Sequence, residues 1–465
     1  MLFGDNCLFQ PISMISTNRE TSSIPSQSPL SSTWQRTVMT FLPIVWVLLL
    51  AIPTVFYFIT IYKNAYNFPY EDDFNSALSF VADFAFSRLS FFEKLKLLFS
   101  QYNEHRIVFD RLVFLADYYL VGELNFRHLI LIGNVSMLLL SWLFFKTTLQ
   151  SVPWQQRLFY LLPVAYSLFL FKYWDLSTWA MAALQNLYVV VFAMFGLYKL
   201  SQPGKSSFAW ACIAALLAVY TSGNGLFCFF AGVLILVFRK EYRRLTIWAA
   251  VGSIAVLLYF WGYRRPPYHP DIADSLFNHS GRAIRYFFSL TGAMVHNHAT
   301  LAMVFGAASL LISIVLVGYL WYTKRLVNYL SLVGLLVFLY LTCFSVMASR
   351  SGFGVEQAFS TRYGIVVVML YACQAVLAIE SVTQSTLRLG VTLAYAGFAI
   401  LVFLSGGNTL NRRNIEDRKA HLQQLSAQYH TNPTQLVLPY GDATLAKIIF
   451  NDAIAKGIYR VPDTQ

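Results

Sequence analysis

The chain of 465 residues contains about eleven apolar runs, and this repetition constrains its fold more than any other feature. A helix needs about 20 apolar residues to cross roughly 30 Å of lipid hydrocarbon. The runs hold almost no ionisable side chains, which are costly inside a bilayer. We therefore predict an all-α integral membrane protein, a polytopic bundle of about eleven transmembrane helices over residues 38–62, 127–145, 157–171, 187–199, 208–221, 225–238, 245–263, 298–321, 329–347, 363–380 and 389–405.

The charge of the chain is low in amount and basic in sign. Only 12% of residues are charged, against about 25% in an ordinary soluble domain. A formal net charge of +12 is also typical of a nucleic-acid binder, but the basic residues here lie in short clusters between apolar runs. Such clusters are topology signals of membrane proteins, so no nucleic-acid partner is expected.

Five basic clusters fall on one side of the bundle if residues 107–121 do not span. They are Lys146/Arg157, Lys199/Lys205, 239–244, Lys324/Arg325 and Arg388. The positive-inside rule makes that side cytoplasmic. Segment 107–121 contains Asp110, Arg111 and Asp117, so we predict a helix tucked beside the bundle. The other side then receives the loops 63–126, 172–186, 222–224, 264–297 and 348–362.

The chain divides into three parts. Residues 1–37 are predicted to be a disordered cytoplasmic tail, without the apolar core of a cleaved signal peptide, so the first span would serve as an uncleaved anchor. Residues 38–405 form the transmembrane domain, with 63–126 as its first outer loop, and 406–465 form a small outer tail.

No cofactor is expected from the cysteines and histidines. None of the five cysteines forms a CxxC pair, which disfavours a disulfide framework or a thiolate metal site. The segment His296-Asn297-His298 is compatible with a divalent metal, but no spacing typical of a metal site accompanies it. We therefore predict no metal site.

The first outer loop carries the densest group of polar residues. Three carboxylates, Glu71, Asp72 and Asp73, follow the first span directly. One interpretation is a solvated acidic loop that caps the next helix. However, residues 91–99 are amphipathic at helical spacing and too short to span, which predicts a helix lying in the membrane interface. That helix would hold the acidic loop against the membrane.

The interfacial helix leads into Asn103-Glu104-His105-Arg106. The simplest interpretation pairs Arg106 with Asp110 across one helical turn. The functional interpretation is that His105 and Arg106 bind a lipid phosphate, or that His105 assists a carboxylate in proton transfer.

These features resemble the GT-C class of membrane glycosyltransferases, which includes protein O-mannosyltransferases and the aminoarabinose transferases of lipid A. The resemblance covers most of residues 38–405. It rests on the acidic motif 70–74 after the first span, the interfacial helix, and polar loops on one face. More narrowly, the chain is similar to uncharacterised bacterial members that share Asp72-Asp73, Asn103–Arg106, Gly223-Asn224-Gly225 and Arg362-Tyr363. It departs from the class in having Asp-Asp where many members have Asp-Glu, and in lacking a large soluble C-terminal domain.

The resemblance implies a GT-C-like fold and an enzyme that moves a sugar from a polyprenyl-phosphate donor to an envelope glycan, lipid or protein. The active site would face the periplasm of a bacterial inner membrane. Asp72 aligns with the general base of the class, and Asp73 with its neighbouring carboxylate.

Other outer-side residues are candidates for binding. Arginine suits a phosphate because its planar fork pairs with phosphate oxygens and stays charged. The phosphate-binding candidates are Arg106, Arg350, Arg362 and His105; the substrate-binding candidates are Glu71, Asn103, Glu104, Asn224, Tyr363, Trp174 and Asp175. The alternatives are arginines that reach for lipid headgroups and Trp174 as part of the interfacial aromatic belt.

Three other functions compete with glycosyl transfer. A transporter or flippase of lipid-linked sugars usually places polar residues or broken helices at the bilayer midplane in repeated halves, and no such repeat is found in the sequence. A surface-polysaccharide polymerase or ligase would also be an enzyme. A non-catalytic scaffold would need no outer carboxylate for activity.

Overall fold

The computed structural model describes residues 29–267, 269–295 and 298–463. The predicted cytoplasmic tail up to residue 28, and His296 and Asn297 of the metal candidate, lie outside the described residues. The chain divides into two compact units, Met1–Val45 and Trp46–Gln465. Of the first, the structure describes only the beginning of helix α1.

The described residues are folded into helices, with no strand longer than a single bridge. The helices are α1 (Pro29–Asn64), α2 (Phe80–Phe86), α3 (Phe91–Leu98), α4 (Val108–Val121), α5 (Phe126–Thr147), α6 (Trp154–Tyr160), α7 (Leu162–Leu168), α8 (Trp174–Ser177), α9 (Ala180–Leu200), α10 (Lys205–Val219), α11 (Phe227–Phe238), α12 (Tyr242–Phe260), α13 (Ser280–Thr291), α14 (Ala299–Tyr322), α15 (Leu330–Arg350), α16 (Gly364–Ser381), α17 (Ser385–Phe403), α18 (Gly406–Thr431) and α19 (Ala443–Ala455).

Eight stretches of the described chain are long and apolar enough to cross a membrane. They are Leu42–Asn64, Phe126–Thr147, Ala180–Leu200, Tyr242–Phe260, Ala299–Tyr322, Leu326–Phe353, Thr361–Ser381 and Ser385–Phe403. Each overlaps one of the predicted spans. The protein is therefore an all-helical, membrane-embedded chain with several candidate spans.

The other three predicted spans fall on shorter helices. Segment 157–171 is divided into α6 and α7 at Leu161, and Pro163, which has no N–H to donate, lies in the first turn of α7. Helices α10 and α11 have 15 and 12 residues. At about 1.5 Å per residue both are shorter than the roughly 30 Å of hydrocarbon.

The helices differ in how much protein covers them. In α16, 94% of the apolar window is buried inside the protein, whereas in α14 and α17 only 17% is buried. Large side chains such as Leu311 and Leu401 are exposed on the outer helices. A helix that is apolar on its exposed face is stable in lipid. Helix α16 thus lies at the centre of the bundle, and α14 and α17 face the membrane.

Basic residues near the helix ends hold neighbouring loops together by hydrogen bonds. Arg325 donates hydrogen bonds to the carbonyls of Glu380 and Ser381, and the Glu380 carboxylate accepts from the Leu149 N–H. Arg239 donates to the Ser201 carbonyl in the same way. These hydrogen bonds satisfy carbonyls left open at helix ends.

The first loop contains the helices α3 and α4. Helix α4 carries the charges of segment 107–121, and Asp110, Arg111 and Asp117 are buried in protein. Helix α3 begins with a capping box between Ser90 and Glu93 and exposes Phe91 and Phe92, as an interfacial helix would.

Candidate active site

Asp73 is the buried member of the acidic motif. Its carboxylate accepts a hydrogen bond from the Met181 N–H at 2.9 Å, in the first turn of α9, and from the Tyr70 N–H at 3.2 Å. Only 1% of the residue is exposed. Burial raises the pKa of Asp73 to about 7, although both backbone donors oppose this shift. Asp73 thus ties the motif to α9 and offers no open face to a substrate.

Asp72 is the more accessible neighbour. Its carboxylate accepts a hydrogen bond of 2.8 Å from the Tyr102 hydroxyl. Burial raises the pKa of Asp72, and Glu104 adds to this effect, while the Tyr102 hydrogen bond and the charge of Arg362 oppose it. A partly buried carboxylate with a raised pKa that is oriented by a phenol is suited to accept a proton.

Glu71 is held in an unusual backbone conformation by the tail. Its φ is +48°, in the left-handed region that non-glycine residues rarely adopt. Its N–H donates to the Pro439 carbonyl at 2.8 Å. Elsewhere the Leu124 N–H donates to the Ile458 carbonyl, and the Phe68 and Phe450 rings lie 5.6 Å apart. The C-terminal tail is therefore folded onto the first loop.

A second polar group surrounds Glu104. Arg350 forms an ion pair and a hydrogen bond with the Glu104 carboxylate, and also contacts Nε2 of His269 at 2.9 Å. Burial raises the pKa of Glu104, but the electrostatic interactions with His105, Arg350 and His269 together outweigh burial, so the net shift is downward. Glu104 is thus ionised at neutral pH and neutralises part of the Arg350 charge.

His105 is oriented by the turn that contains Gly223. The Gly223 N–H donates to Nδ1 of His105 at 3.1 Å, so Nδ1 is the acceptor and the neutral ring carries its proton on Nε2. Nε2 lies 3.7 Å from the Glu104 carboxylate. Burial lowers the pKa of His105 despite Glu104. A Cβ at Gly223 would lie 2.7 Å from the Tyr259 hydroxyl, so a larger residue here would displace that hydroxyl, which donates to the Glu104 carbonyl.

Arg106 is directed away from the acidic motif. Its guanidinium donates to three backbone carbonyls, those of Phe99, Tyr259 and Trp261. This geometry joins the end of α3 to the end of α12. The predicted pair with Asp110 does not form: both carboxylate oxygens of Asp110 are buried without a hydrogen-bond partner. The structure thus gives Arg106 a role in holding the loop.

A third group connects the motif to α8 and the tail. Arg418 of α18 pairs with the Asp175 carboxylate at 2.5 Å and donates to the Thr178 hydroxyl at 3.0 Å. Its guanidinium stacks on Tyr70 at 4.1 Å and on Trp174 at 4.6 Å. Cation–π stacking and a nearly buried ion pair together fix the position of Tyr70, directly before the carboxylates.

Arg362 is the most accessible arginine of the site. Half of its side chain is exposed, and Nε lies 3.4 Å from the Asp175 carboxylate. Its guanidinium lies 4.7 Å above the Trp179 ring. Its charge acts on Glu71 and Asp72, lowering the pKa that burial raises in both. Arg362 thus lies beside the acidic motif with donors left for a ligand.

The remaining candidates lie at the rim of these groups. Asn103 has a φ of +47°, in the tight turn that pairs Tyr102 with His105. Asn224 donates to the Thr342 hydroxyl at 3.5 Å. Tyr363 lies within electrostatic range of Arg350 and Arg362. Except for Arg106, which is turned away, the predicted residues gather at one end of the bundle.

The arrangement combines Asp72, a carboxylate of raised pKa, with the nearby charge of Arg362, and places Arg350 in the neighbouring group around Glu104. Within residues 29–267, 269–295 and 298–463, no group of three or more His, Cys, Asp or Glu side chains is placed to hold a metal ion. A carboxylate of this kind can accept a proton, and the guanidinium groups of Arg362 and Arg350 can bind an anion.

Three residues of the site were missed by the sequence analysis. Tyr102 adjoins the Asn103 segment, so its neighbourhood was a usable signal. His269 lies in a loop predicted to face the outer side. Arg418 lies in a polar helix with many similar side chains, and nothing in the sequence distinguishes it from Arg412 or Arg413.

A scan against protein-family models, a search of curated proteins and a search of solved structures each returned no match to this chain.

Proposed function

We propose that this protein is a membrane glycosyltransferase that moves a sugar from a polyprenyl-phosphate donor to an envelope acceptor, with Asp72 as the general base. The observation that carries the proposal is the contrast between two adjacent carboxylates. Asp73 is occupied by two backbone N–H groups, whereas Asp72 is partly accessible and oriented by Tyr102.

The reaction needs a proton acceptor and a site for a leaving phosphate. The acceptor hydroxyl gives its proton to Asp72 as its oxygen forms a bond to the anomeric carbon. The bond from that carbon to the phosphate oxygen breaks, and the polyprenyl phosphate leaves with the electron pair. A raised pKa brings a carboxylate closer to the value that suits a base at neutral pH.

Arg362 is proposed to hold the donor phosphate, assisted by Arg350. Its exposed guanidinium has donors available, and a charge-assisted pair with phosphate strengthens as negative charge develops on the leaving group. Arg350 is partly neutralised by Glu104, so we give it the secondary role. Glu71 and Asp175 then set the position of Arg362 and the edge of the acceptor site.

The fold and orientation form part of the same proposal. Eleven crossings follow if α6 with α7, α10 and α11 each traverse the bilayer together with the eight longer stretches. The basic clusters then face the cytoplasm, in agreement with the positive-inside rule, and the acidic motif faces the periplasm of a bacterial inner membrane. A GT-C-like fold would have this arrangement of an outer acidic loop on a helical bundle.

Transfer and transport are separated by one experiment. Purified protein is reconstituted into vesicles, supplied with radiolabelled polyprenyl-phosphate sugars and envelope acceptors, and compared with the Asp72→Asn variant. We expect label in the acceptor with the wild type, and a loss of about 10²–10⁴-fold in the variant with unchanged Tm. Movement of labelled lipid across the bilayer that is equal in both proteins, without label in any acceptor, would instead identify a transporter.

A further inference from the structure

A cavity of about 830 Å³ lies between the end of α1, the start of α5 and one face of α18. Three cations line it, Lys63, Arg127 and Lys419, together with the rings of Tyr62 and Tyr66. The acid in its lining is Asp463. The cavity is on the other face of α18 from Arg418, because Lys419 donates to the Lys63 carbonyl at 2.8 Å, whereas Arg418 pairs with Asp175.

The charges of the three cations are not balanced by ion pairs among the described residues. Within the described chain, none of Lys63, Arg127 and Lys419 lies within ion-pair distance of a carboxylate. Arg127 stacks over the Tyr62 ring at 4.8 Å and contacts the Tyr62 carbonyl at 3.4 Å. These contacts hold three positive charges around a space to which the lining adds one carboxylate, Asp463, so the lining keeps a net positive charge that attracts an anion.

The cavity lies at the level of lipid headgroups. Tyr62 and Lys63 end the apolar stretch Leu42–Asn64, and Arg127 is the second residue of the stretch Phe126–Thr147. Both stretches therefore reach the membrane boundary at this cavity. Tyrosine at such a boundary is common, but basic residues concentrate on the cytoplasmic side of membrane proteins. Three of them in a cavity opposite the basic loops need a ligand to explain them.

We propose that this cavity binds the phosphate of an acidic lipid headgroup. Arg127 is suited to bind two phosphate oxygens at once, and the two lysines supply point charges on either side. A lipid phosphate already lies at the required depth, whereas a free phosphate would have to be taken from solution. The site would join α1, α5 and the tail through one lipid, and it rests on the orientation proposed above but not on the glycosyltransferase chemistry.

The test measures stabilisation by lipid. Full-length protein in a neutral detergent is heated with a short-chain phosphatidylglycerol, with a phosphatidylcholine of the same chain length, or with inorganic phosphate, each at equal concentration. A ligand that binds only the folded state raises Tm, and the rise is larger for a tighter ligand at equal concentration. We expect phosphatidylglycerol to raise the Tm of the wild type more than either of the other two.

Two triple variants with the same change in charge show where the lipid acts. Lys63→Gln/Arg127→Gln/Lys419→Gln should abolish the extra rise in Tm. The control Arg88→Gln/Arg413→Gln/Lys447→Gln, in which none of the three residues lines the cavity, should keep it. An equal response of the two triple variants would overturn the site. A rise with inorganic phosphate equal to that with phosphatidylglycerol would overturn the assignment to a lipid.

A single variant protects the test against loss of folding. Lys63 is exposed, so Lys63→Gln leaves the packing of the core unchanged. One basic residue near a membrane surface contributes about 1 kcal/mol to binding of an acidic lipid, which corresponds to about fivefold weaker binding in the variant. Binding of phosphatidylglycerol with unchanged affinity would contradict the proposal.

Discussion

Replacement of Arg418 by methionine is expected to loosen the acidic motif from the tail. Methionine keeps much of the apolar length of arginine but removes its charge and its hydrogen-bond donors. In the wild type the guanidinium contacts the Asp175 carboxylate and carbonyl, the Thr178 hydroxyl, and the rings of Tyr70 and Trp174. Arg418→Met would therefore release the residue that precedes Glu71.

The magnitude follows from the burial of the ion pair. Arg418 and Asp175 have side chains that are 8% and 13% exposed. Loss of one partner of a buried pair costs about 3–5 kcal/mol, because the other charge stays buried without compensation. Arg362 lies 3.4 Å from the same carboxylate, so Asp175 keeps one cation. We expect a destabilisation near the lower end, about 3 kcal/mol.

The assay is a double-mutant cycle read by thermal unfolding in detergent. Arg418→Met should lower Tm by several degrees, and the addition of Asp175→Asn should restore part of the loss, because the uncompensated charge is gone. Arg413→Met is the matched control, since Arg413 is an exposed arginine on the same helix. The transfer activity of Arg418→Met should fall as well, through a lower kcat, because the Tyr70 contact positions the base.

Two outcomes would contradict the proposed coupling of Arg418 and Asp175. An Arg418→Met protein with the Tm of the wild type would show that the tail contributes no stability through this pair. Additive effects of Arg418→Met and Asp175→Asn would show that the two residues are not coupled.

Two predictions concern pH. Burial raises the pKa of Asp110, and its carboxylate has no hydrogen-bond partner, so folding takes up a proton and stability falls as pH rises above about 4. Asp110→Asn should remove this loss of stability, which reaches about 1.4 kcal/mol per pH unit. The difference in Tm between the variant and the wild type should then widen from pH 5 to pH 8, and a constant difference would contradict the prediction. Burial also raises the pKa of Asp72. The transfer rate should therefore increase with pH, and the increase should occur at a higher pH than the pKa of an ordinary aspartate. A rate that is flat from pH 4 to pH 8 would exclude Asp72 as the base.

Much of the fold could be predicted from hydropathy alone. Apolar length at 1.5 Å per residue located the eight long stretches, because the bilayer imposes a minimum length on a spanning helix. Apolar length did not predict the interruption at Leu161 between α6 and α7, or the short lengths of α10 and α11. The charges within 107–121 predicted a helix beside the bundle; the structure has a helix there, and its Asp110, Arg111 and Asp117 are buried in protein.

The site was predictable in part. The acidic motif and the Asn103 segment stood out because dense polar residues are rare in so apolar a chain. The different environments of Asp72 and Asp73 depend on the Met181 N–H, which lies 108 residues away in the chain. The hydrogen bonds from Arg106 to three carbonyls and the ion pair of Arg418 with Asp175 also arise from tertiary contacts, which have no local sequence signal.

The two adjacent aspartates give the most direct test of the account. Sugar transfer and Tm are measured for Asp72→Asn and Asp73→Asn at pH 8. Asp72→Asn should lose transfer and keep its Tm. Asp73→Asn should instead lose about 1–3 kcal/mol of stability, because one backbone N–H loses its acceptor, and keep measurable transfer. Transfer at the wild-type rate by Asp72→Asn would contradict the proposal that Asp72 is the general base.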